Sequence, residues 1–388
     1  DLDDQTDEGY ALLEEFINKL SERGGEYQKY IKDIDIPDTF NLHLDITKVR
    51  GLEANYQWSE EDEKKYGIKL VHIDLDRSPY SKKNLQAYKQ IVDLIKKEKI
   101  DYIHCNTPVG GVLGRLAGEK CNVKRIIYEA HGFHFYDGAP KKNWLIYYPV
   151  EKWLANKTDA IITINNEDFK RAKRFKLRNN GQVYYVPGVG IDLSQYDIPD
   201  TVREIKRKEL CLEKTDFALI SMGDLIKRKN YATAIEVVAK INNPKVHYFI
   251  CGKGSEEENL RELAKKFGVE KQVHFLGYRK DIKELLKSAD VFLLTSNQEG
   301  LARSLMEAMA SSLPCIVSNI RGNSDLIINN VNGFLCSDVN EYVTSIERLM
   351  QSPKCAKIFA QRSLDNLKNF SIEKVENCIF DIYSKELV

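Results

Sequence analysis

Two glutamates, Glu299 and Glu307, stand eight residues apart in a segment whose pattern predicts a strand, a turn, a helix and a second strand. The first glutamate would lie in the loop after a strand, in the crevice where open α/β sheets bind ligands. The second would lie about two turns into the helix. Such carboxylates either contact a ligand or are solvated surface acids. The neighbouring strand ends favour the first interpretation.

A basic turn that contains glycine follows another predicted strand, at residues 221–230, and precedes a helix. Gly223 lets the backbone approach a phosphate, and three consecutive cations stand beside a helix N-terminus with its exposed N–H groups. These cations are Lys227, Arg228 and Lys229. The turn is not a P-loop, because the GxxxxGK[ST] spacing is absent. It favours an anionic ligand without specifying which one.

The next two predicted strands also end in glycine. Gly252 and Gly254 follow one strand, and the other ends in Gly277 before Tyr278 and Arg279. Four successive strand ends would then carry a glycine or a carboxylate at the same edge of one sheet. We expect these strand ends to build one pocket with the shape of a nucleotide.

The predicted elements that position these residues alternate between strands and helices, which is typical of parallel sheets covered by helices on both faces. In the second half, strands are predicted at 218–222, 245–251, 273–276 and 291–294. A similar alternation begins at residue 85, and Pro199 marks a linker. We predict an α/β protein with two doubly wound Rossmann-like domains, facing a cleft that is the expected ligand site.

The predicted domains span residues 1–195 and 196–371, followed by an amphipathic terminal helix up to residue 388. Residues 1–67 are atypical, because they lack the regular alternation of the rest. In and just after this region, helices are predicted at 8–20, 26–34 and 59–65, and strands at 40–46 and 68–75.

Composition indicates a cytosolic globular protein. Hydrophobic residues make up 43% of the 388 residues, which is ample for two cores. No apolar run reaches the length of a membrane span, and no signal peptide opens the sequence. The eight cysteines have neither CxxC pairs nor metal-site spacing, so reduced thiols are expected.

The net charge is zero but unevenly distributed. Residues 1–66 hold 18 acidic and 8 basic residues, so the remaining 322 hold 40 acidic against 50 basic ones. A basic main body favours an anionic ligand or an anionic membrane surface, although such an imbalance is also common in soluble enzymes. No nucleic-acid partner is predicted.

One predicted helix, over residues 141–156, combines lysines with aromatic residues. Lys141, Lys142 and Trp144 are its candidates for the acceptor side or a membrane surface, because interleaved bases and aromatics suit a lipid interface. The alternative is that the aromatic side chains pack against the helix's own sheet.

Several long motifs resemble family 4 of the retaining nucleotide-sugar glycosyltransferases. They include GDLIKRKN, ICGKGSEEENL and the stretch around EGLARSLMEAMA, whose two glutamates match that family's two-glutamate motif. Upstream, TPVGGVLGRLA and YEAHGFHFYDGAPKKNWLIYYPVEKWLA are similar to bacterial capsule and exopolysaccharide transferases. The resemblance covers roughly residues 68–388. It implies the GT-B fold, with the donor in the second domain, the acceptor in the first, and the helix over 372–388 returning to the first.

The resemblance also implies roles for individual residues. Glu307 would hold the donor's ribose hydroxyls, Glu299 would face the donor sugar, and Lys229 would clamp the diphosphate. The family often has arginine directly after the first glycine of the basic turn, where this chain has Asp224. It stays open whether Arg228 or Lys227 substitutes for that arginine.

Further positions match the family pattern. His131 would reach the donor sugar or the reaction centre and is the third catalytic candidate beside Glu299 and Lys229, whereas His134 is expected to be structural. The other donor-side candidates are Gly223, Gly252, Gly254, Tyr278, Arg279, Gly300, Leu301 and Ala302. Tyr278 and Arg279 would flank the base, and the backbone at 301–303 would offer N–H groups to phosphate.

The expected chemistry needs no metal and no cofactor. Cleavage of a sugar–diphosphate bond builds negative charge on the leaving group, which lysine and helix N-termini stabilise. No DxD-like metal pair is convincingly placed. Retention would fit front-face attack assisted by the leaving phosphate, and a covalent route through Glu299 is the alternative.

The sequence therefore predicts a transferase that moves a sugar from a UDP-sugar to a polyprenyl-linked or oligosaccharide acceptor at the inner face of the cell membrane. Residues 1–67 lack the strand, glycine-rich loop and helix with which family members begin. One alternative is a nucleotide-sugar epimerase of the same fold, which would need no acceptor. The other, which this gap favours, is a nucleotide-sugar-binding protein with a disabled first domain.

Overall fold

The computed structural model describes residues 32–37, 68–73, 75–76 and 81–386, which form two compact units. The first unit contains the described residues up to Thr163, residues 168–185 and the end of the chain from Asp381. The second contains residues 164–167 and 186–380. The boundary between domains predicted from sequence, after residue 195, lies inside this second unit.

The first described strands form a separate antiparallel ribbon, in which β1 (Lys32–Pro37) pairs with β2 (Ile68–Ile73). The helix predicted at 26–34 is therefore wrong over residues 32–34, which belong to a strand whose residues 33–36 alternate between aspartate and isoleucine with a period of two. The strand predicted at 68–75 is confirmed over β2. The elements predicted at 8–20, 40–46 and 59–65 lie outside the described residues.

The main sheet of the first unit has four parallel strands in the order β3-β4-β5-β6. All four residues of β5 are buried, as expected for a strand covered on both faces. The strands are β3 (Tyr102–Asn106), β4 (Arg125–Ala130), β5 (Ala160–Thr163) and β6 (Gln182–Tyr185). The helices that accompany them along the chain are α1 (Lys83–Glu98), α2 (Pro108–Lys120), α3 (Lys141–Ala155) and α4 (Asn166–Ala172).

The second unit contains a six-stranded parallel sheet in the order β12-β11-β10-β7-β8-β9. Its strands are β7 (Phe217–Met222), β8 (Val246–Cys251), β9 (Val273–Gly277), β10 (Val291–Leu294), β11 (Cys315–Ser318) and β12 (Phe334–Cys336). Its helices are α5 (Asp200–Glu209), α6 (Tyr231–Ile241), α7 (Glu257–Lys266), α8 (Ile282–Ser288), α9 (Arg303–Ala310), α10 (Asn323–Leu326), α11 (Val339–Gln351) and α12 (Pro353–Leu367). The four strands predicted here are confirmed to within one residue at each end.

The strand order of this sheet reverses at β7. The chain proceeds from β7 to β8 and β9 on one side, and from β10 to β11 and β12 on the other. In open α/β sheets, ligands bind outside the carboxyl ends of the strands at the point where the order reverses. The fold therefore assigns the ligand crevice of this unit to the segments that follow β7 and β10.

The terminal helix α13 (Ile372–Glu386) confirms the helix predicted from sequence over those residues. Its first part belongs to the second unit and its end, from Asp381, to the first. Within the first unit, the Tyr184 hydroxyl donates a hydrogen bond to Glu386 Oε1 at 2.6 Å, and Arg125 Nε donates to the Glu386 carbonyl at 3.2 Å. None of the helices in the described ranges is long and apolar enough to cross a membrane.

A buried ion pair lies in the core of the first unit. The side chain of Arg115 is fully buried, pairs with Glu151 and lies 3.8 Å from the centre of the Tyr128 ring. Its Nε also donates to the Gly111 carbonyl at 2.8 Å. Because these groups satisfy a charge that water cannot reach, loss of the carboxylate would leave the guanidinium without its counterion.

We predict that Glu151→Ala lowers the free energy of unfolding by about 3–5 kcal/mol, the typical cost of an uncompensated buried charge. Urea unfolding followed by tryptophan fluorescence measures this loss of stability. All three tryptophans precede residue 154, so the signal reports on the part of the chain that contains Arg115 and Glu151. The matched control is Glu119→Ala, which removes the partially exposed partner of Lys157 and should cost less than about 1 kcal/mol. Equal effects of the two substitutions would contradict this account of Arg115.

Candidate active site

The turns that follow β7 and β8 are packed backbone against backbone. Gly223 has φ +141° and Gly252 has φ +150°, and a Cβ added to Gly252 would lie 2.0 Å from the Gly223 carbonyl oxygen. Likewise, a Cβ on Gly254 would lie 2.3 Å from the Leu225 carbonyl oxygen. Glycine is therefore required at 252 and 254 by this close contact alone. Their predicted contact with phosphate stays a prediction.

Glu299 lies in the loop after β10 and is only 7% exposed. Lys229 Nζ lies 2.8 Å from its Oε1, and Arg228 Nη1 lies 3.4 Å from its Oε2. Arg228 also donates to the Gln298 carbonyl at 3.0 Å, and Arg321 Nε donates to the Glu299 carbonyl at 3.1 Å. The loop after β7 and the loop after β10 are thus joined by ion pairs at the point where the strand order reverses.

These cations decide the ionisation of Glu299. Burial alone would raise the pKa of its carboxyl group, but the charges of Lys229 and Arg228 and the hydrogen bond from Lys229 outweigh burial and hold the pKa below its usual range. The site therefore combines an ionised carboxylate with two cations at neutral pH. Of the two cations considered in place of the family's arginine, Arg228 lies beside Lys229 at this carboxylate.

Glu307 lies on α9 with a side chain that is 21% exposed. Arg303 Nε lies 3.2 Å from its Oε1, and the hydroxyl of Tyr196 is hydrogen-bonded to it. Burial raises the pKa of Tyr196, and the negative charge of Glu307 raises it further. Sequence reasoning missed Tyr196, because it lies in a short 3₁₀ turn more than a hundred residues before Glu307 and belongs to no motif.

The loop between Glu299 and α9 is fixed by two further glycines. A Cβ on Gly322, which has φ +81°, would lie 2.3 Å from the Gly300 carbonyl oxygen. A Cβ on Gly188 would lie 2.5 Å from Leu301 Cδ2. Ala302 is the residue before α9, whose first N–H groups have no partner within the helix. A contact between these N–H groups and phosphate remains a prediction.

The two residues predicted to flank the nucleotide base, Tyr278 and Arg279, differ in their surroundings. Tyr278 is 44% exposed. Arg279 Nε and Nη2 donate to both carboxylate oxygens of Asp281, at 2.7 and 2.6 Å, and Nη2 lies 2.9 Å from Glu209 Oε1. Lys206 binds the same two acids at 2.7 Å. The guanidinium of Arg279 therefore stabilises the contact between α5 and the start of α8 in this structure.

In the first unit, His131 follows β4 and its side chain is 39% exposed. Its Nε2 lies 3.2 Å from Glu129 Oε1. The ring of His134 lies 4.8 Å from that of Tyr147, measured between centroids, which fits the structural role expected for it. The catalytic role of His131 stays a prediction.

The acceptor-side candidates on α3 divide into two groups. Trp144 packs against Phe135 and Tyr148, with ring centroids 5.8 Å away in each case, and its ring is covered by Arg171 at 4.5 Å. Trp144 therefore belongs to the aromatic cluster of its own unit, which is the alternative considered for this helix. Lys141 and Lys142 are exposed, and the neighbouring Leu145 is 74% exposed.

Within the described ranges, no group of three or more His, Cys, Asp or Glu side chains is arranged to hold a metal ion. All eight cysteines lie in these ranges as free thiols.

Comparison with known proteins identifies the family. The profile of "Glycosyl transferases group 1" matches residues 202–365, and that of "Glycosyl transferase 4-like" matches residues 54–165. The chain is 35% identical over 344 residues to a Bacillus subtilis protein named as glycosyltransferase EpsD, covering 87% of this chain and 90% of that protein. The chain belongs to glycosyltransferase family 4.

Other members and solved structures agree with this assignment. An Escherichia coli enzyme named UDP-Gal:alpha-D-GlcNAc-diphosphoundecaprenol alpha-1,3-galactosyltransferase is 30% identical, with 78% of this chain and 79% of that enzyme covered. The crystal structure of Anabaena HepE with UDP and glucose has a TM-score of 0.69 at 21% identity, covering 77% of this chain and 82% of HepE. Sucrose-phosphate synthase from Thermosynechococcus elongatus has a TM-score of 0.68 at 16% identity, covering 89% of each chain. This family 4 glycosyltransferase therefore has the GT-B fold.

We predict that Glu299→Gln destabilises the second unit at pH 7, because it removes the counterion of Lys229 and Arg228. The pKa of Glu299 is lowered by folding, so its stabilising contribution is complete above the unfolded-state pKa of about 4.3 and is lost as the pH falls below it. The stability difference from wild type should therefore narrow towards pH 3. Thermal unfolding followed by circular dichroism between pH 3 and 7 measures it.

The matched control for this pH series is Glu257→Gln, which removes an exposed ion pair with Arg261 and should cost about 0.5 kcal/mol or less. Equal stability of Glu299→Gln and the wild type at pH 7 would contradict the assignment of Glu299 as a buried, ionised carboxylate. A stability difference that does not change between pH 3 and 7 would contradict it as well.

Proposed function

We propose that this family 4 glycosyltransferase transfers a sugar from a UDP-sugar to a polyprenyl-diphosphate-linked or saccharide acceptor, with retention of configuration and without a metal ion. One observation carries the proposal. Buried Glu299 lies between Lys229 and Arg228 where the strand order of the second unit reverses. A carboxylate for sugar hydroxyls and two cations for a diphosphate are thus held together at one place.

The donor is proposed to bind along the carboxyl ends of β7 and β10. Lys229 and Arg228 would bind the diphosphate while keeping contact with Glu299, and Glu299 would accept hydrogen bonds from the sugar hydroxyls. Glu307, with its Tyr196 and Arg303 contacts, would hold the ribose hydroxyls. UDP is favoured as the nucleotide because the E. coli relative is named for a UDP-sugar and HepE was crystallised with UDP.

The chemistry proposed for this site relies on fixed positive charge. Bond cleavage places negative charge on the departing diphosphate, where the two cations and the N-terminus of α9 would stabilise it. Both carboxylate oxygens of Glu299 are engaged by cations, which suits a residue that positions the sugar better than one that attacks it. We therefore favour front-face attack assisted by the leaving phosphate over a covalent intermediate on Glu299.

A lipid-linked acceptor is proposed for two reasons. The E. coli relative is named for GlcNAc-diphosphoundecaprenol as its acceptor. On α3, exposed Lys141 and Lys142 adjoin exposed Leu145, a combination that suits the surface of an anionic membrane. We propose peripheral association with the inner face of the cell membrane, and that His131 of the first unit contacts the donor sugar.

The proposal predicts sugar transfer that depends on the cations and the carboxylate. We expect Lys229→Ala and Glu299→Ala each to lower kcat/KM roughly 100-fold or more, the usual effect of removing a group that stabilises transition-state charge. UDP-galactose, UDP-glucose and UDP-N-acetylglucosamine are tested with GlcNAc-diphosphoundecaprenol, and product is separated by thin-layer chromatography. The control Lys245→Ala changes an exposed lysine next to the opposite end of β8 and should keep wild-type activity.

The same assay decides the other parts of the proposal. NMR of the product should show the anomeric configuration of the donor, and addition of EDTA should leave the rate unchanged. An inverted product would contradict retention, and loss of activity in EDTA would contradict metal independence. Conversion of the UDP-sugar to its epimer without acceptor would identify an epimerase. Binding of UDP without turnover of any donor would identify a non-catalytic protein.

The membrane proposal has its own test. Replacing Lys141 and Lys142 by glutamate should strongly weaken sedimentation with phosphatidylglycerol vesicles, because each basic residue near an anionic surface contributes about 1 kcal/mol. The control changes Lys96 and Lys97, two exposed lysines on α1, in the same way. If both double variants bind vesicles as the wild type does, α3 is not the membrane-facing element.

A further inference from the structure

One carboxylate in the first unit holds two histidines. Glu129 lies near the carboxyl end of β4, and its side chain is 14% exposed. Its Oε1 lies 3.2 Å from Nε2 of His131, and its Oε2 lies 3.3 Å from Nε2 of His104. His104 belongs to the neighbouring strand β3 and is buried. Glu129 therefore connects a partly exposed histidine with a buried one.

The chain of contacts continues to the terminal helix α13. Nδ1 of His104 lies 2.5 Å from the hydroxyl of Tyr383, and the two rings meet edge to face with centroids 5.8 Å apart. A His104 ring that carries its proton on Nε2 suits both neighbours, because the N–H lies beside the Glu129 carboxylate and Nδ1 accepts from the Tyr383 hydroxyl. Four side chains, Tyr383, His104, Glu129 and His131, thus form one continuous series of close polar contacts.

The carboxylate at the centre of this series is ionised. Burial would raise the pKa of Glu129, but its polar contacts with His104 and His131 outweigh burial and hold the pKa below its usual range. An ionised carboxylate can face both rings at once, one with each oxygen, and cannot turn without losing one of these contacts. Its orientation is therefore fixed by His104.

We propose that Glu129, His104 and Tyr383 are positioning residues for His131. Glu129 orients the imidazole through Nε2, while His104 and Tyr383 hold the carboxylate, so that correct packing of the end of α13 sets the orientation of His131. This inference rests on the proposed function, in which His131 contacts the donor sugar. Groups that contact substrates are commonly oriented by a second layer of hydrogen bonds in this way.

Helix packing alone does not account for the series. The end of α13 is already held within the first unit by the Tyr184 and Arg125 contacts to Glu386. Burial of a histidine costs free energy unless its ring nitrogens have polar neighbours. For His104 these neighbours are the Glu129 carboxylate and the Tyr383 hydroxyl. The two tyrosines also offer a matched comparison, because each makes a hydroxyl contact that involves α13, and only Tyr383 belongs to the series.

The positioning claim is tested first without any substrate, by NMR of the full chain labelled with ¹⁵N-histidine. The seven histidines are assigned with single substitutions that include His131→Ala. Glu129→Gln and Tyr383→Phe should both shift the ring ¹⁵N signals of His131, and Tyr184→Phe should leave them unchanged. Unchanged His131 signals in Glu129→Gln, or equal shifts in both tyrosine variants, would overturn the proposal.

Kinetics with UDP-galactose and GlcNAc-diphosphoundecaprenol separate this inference from the proposed function. Glu129→Gln should lower kcat roughly 10- to 100-fold, as expected for a misplaced catalytic group, while the KM for UDP-galactose stays within about twofold. Adding Glu129→Gln to His131→Ala should cause no further loss, because a positioning residue acts only through the residue that it positions.

The outcomes are distinguishable. Wild-type activity of His131→Ala would overturn the role of His131 in the proposed function. Loss of activity in His131→Ala with full activity in Glu129→Gln would overturn the positioning claim and leave the proposed function intact. Multiplicative losses of activity in the variant that combines Glu129→Gln with His131→Ala would also overturn the positioning claim. If UDP-galactose is not a donor, the NMR arm still decides whether Glu129 and Tyr383 orient His131.

Discussion

The candidate site depends on the burial of one charge. Glu299 is almost fully enclosed, and a carboxylate in that position is stable only with cations beside it, which Lys229 and Arg228 supply. Those cations come from the loop after β7 and the carboxylate from the loop after β10. The two loops can meet because the strand order reverses between these strands. The electrostatic requirement and the sheet topology thus select the same place.

The glycines around this place serve the same requirement. Gly252 and Gly254 let the turn after β8 contact the turn after β7, and Gly322 lets its own turn contact Gly300 next to Glu299. Each contact is between backbone atoms, so no side chain can be added without moving a loop. Close backbone packing thus holds the loops that carry the charges at the edge where the donor is proposed to bind.

The sequence predicted the fold of the second unit well, because its strands are continuous apolar runs between glycine-rich turns. It also predicted that Glu299 and Lys229 share a site, since both follow strands at one edge. It missed Tyr196, whose contact with Glu307 depends on how distant segments fold together. The ion pairs of Arg279 with Asp281 and Glu209, and the strand at Lys32–Pro37, were likewise decided by pairing with other segments.

The central claim is that Lys229 and Arg228, held by Glu299, bind the diphosphate of a nucleotide. Calorimetric titration with UDP and with uridine tests it directly, because only UDP carries the diphosphate. The account predicts that the wild type binds UDP much more tightly than uridine, and that Lys229→Ala weakens UDP binding roughly 10-fold or more, as expected for loss of a charge-assisted contact, without changing uridine binding. Equal affinity of wild type and Lys229→Ala for UDP would contradict it.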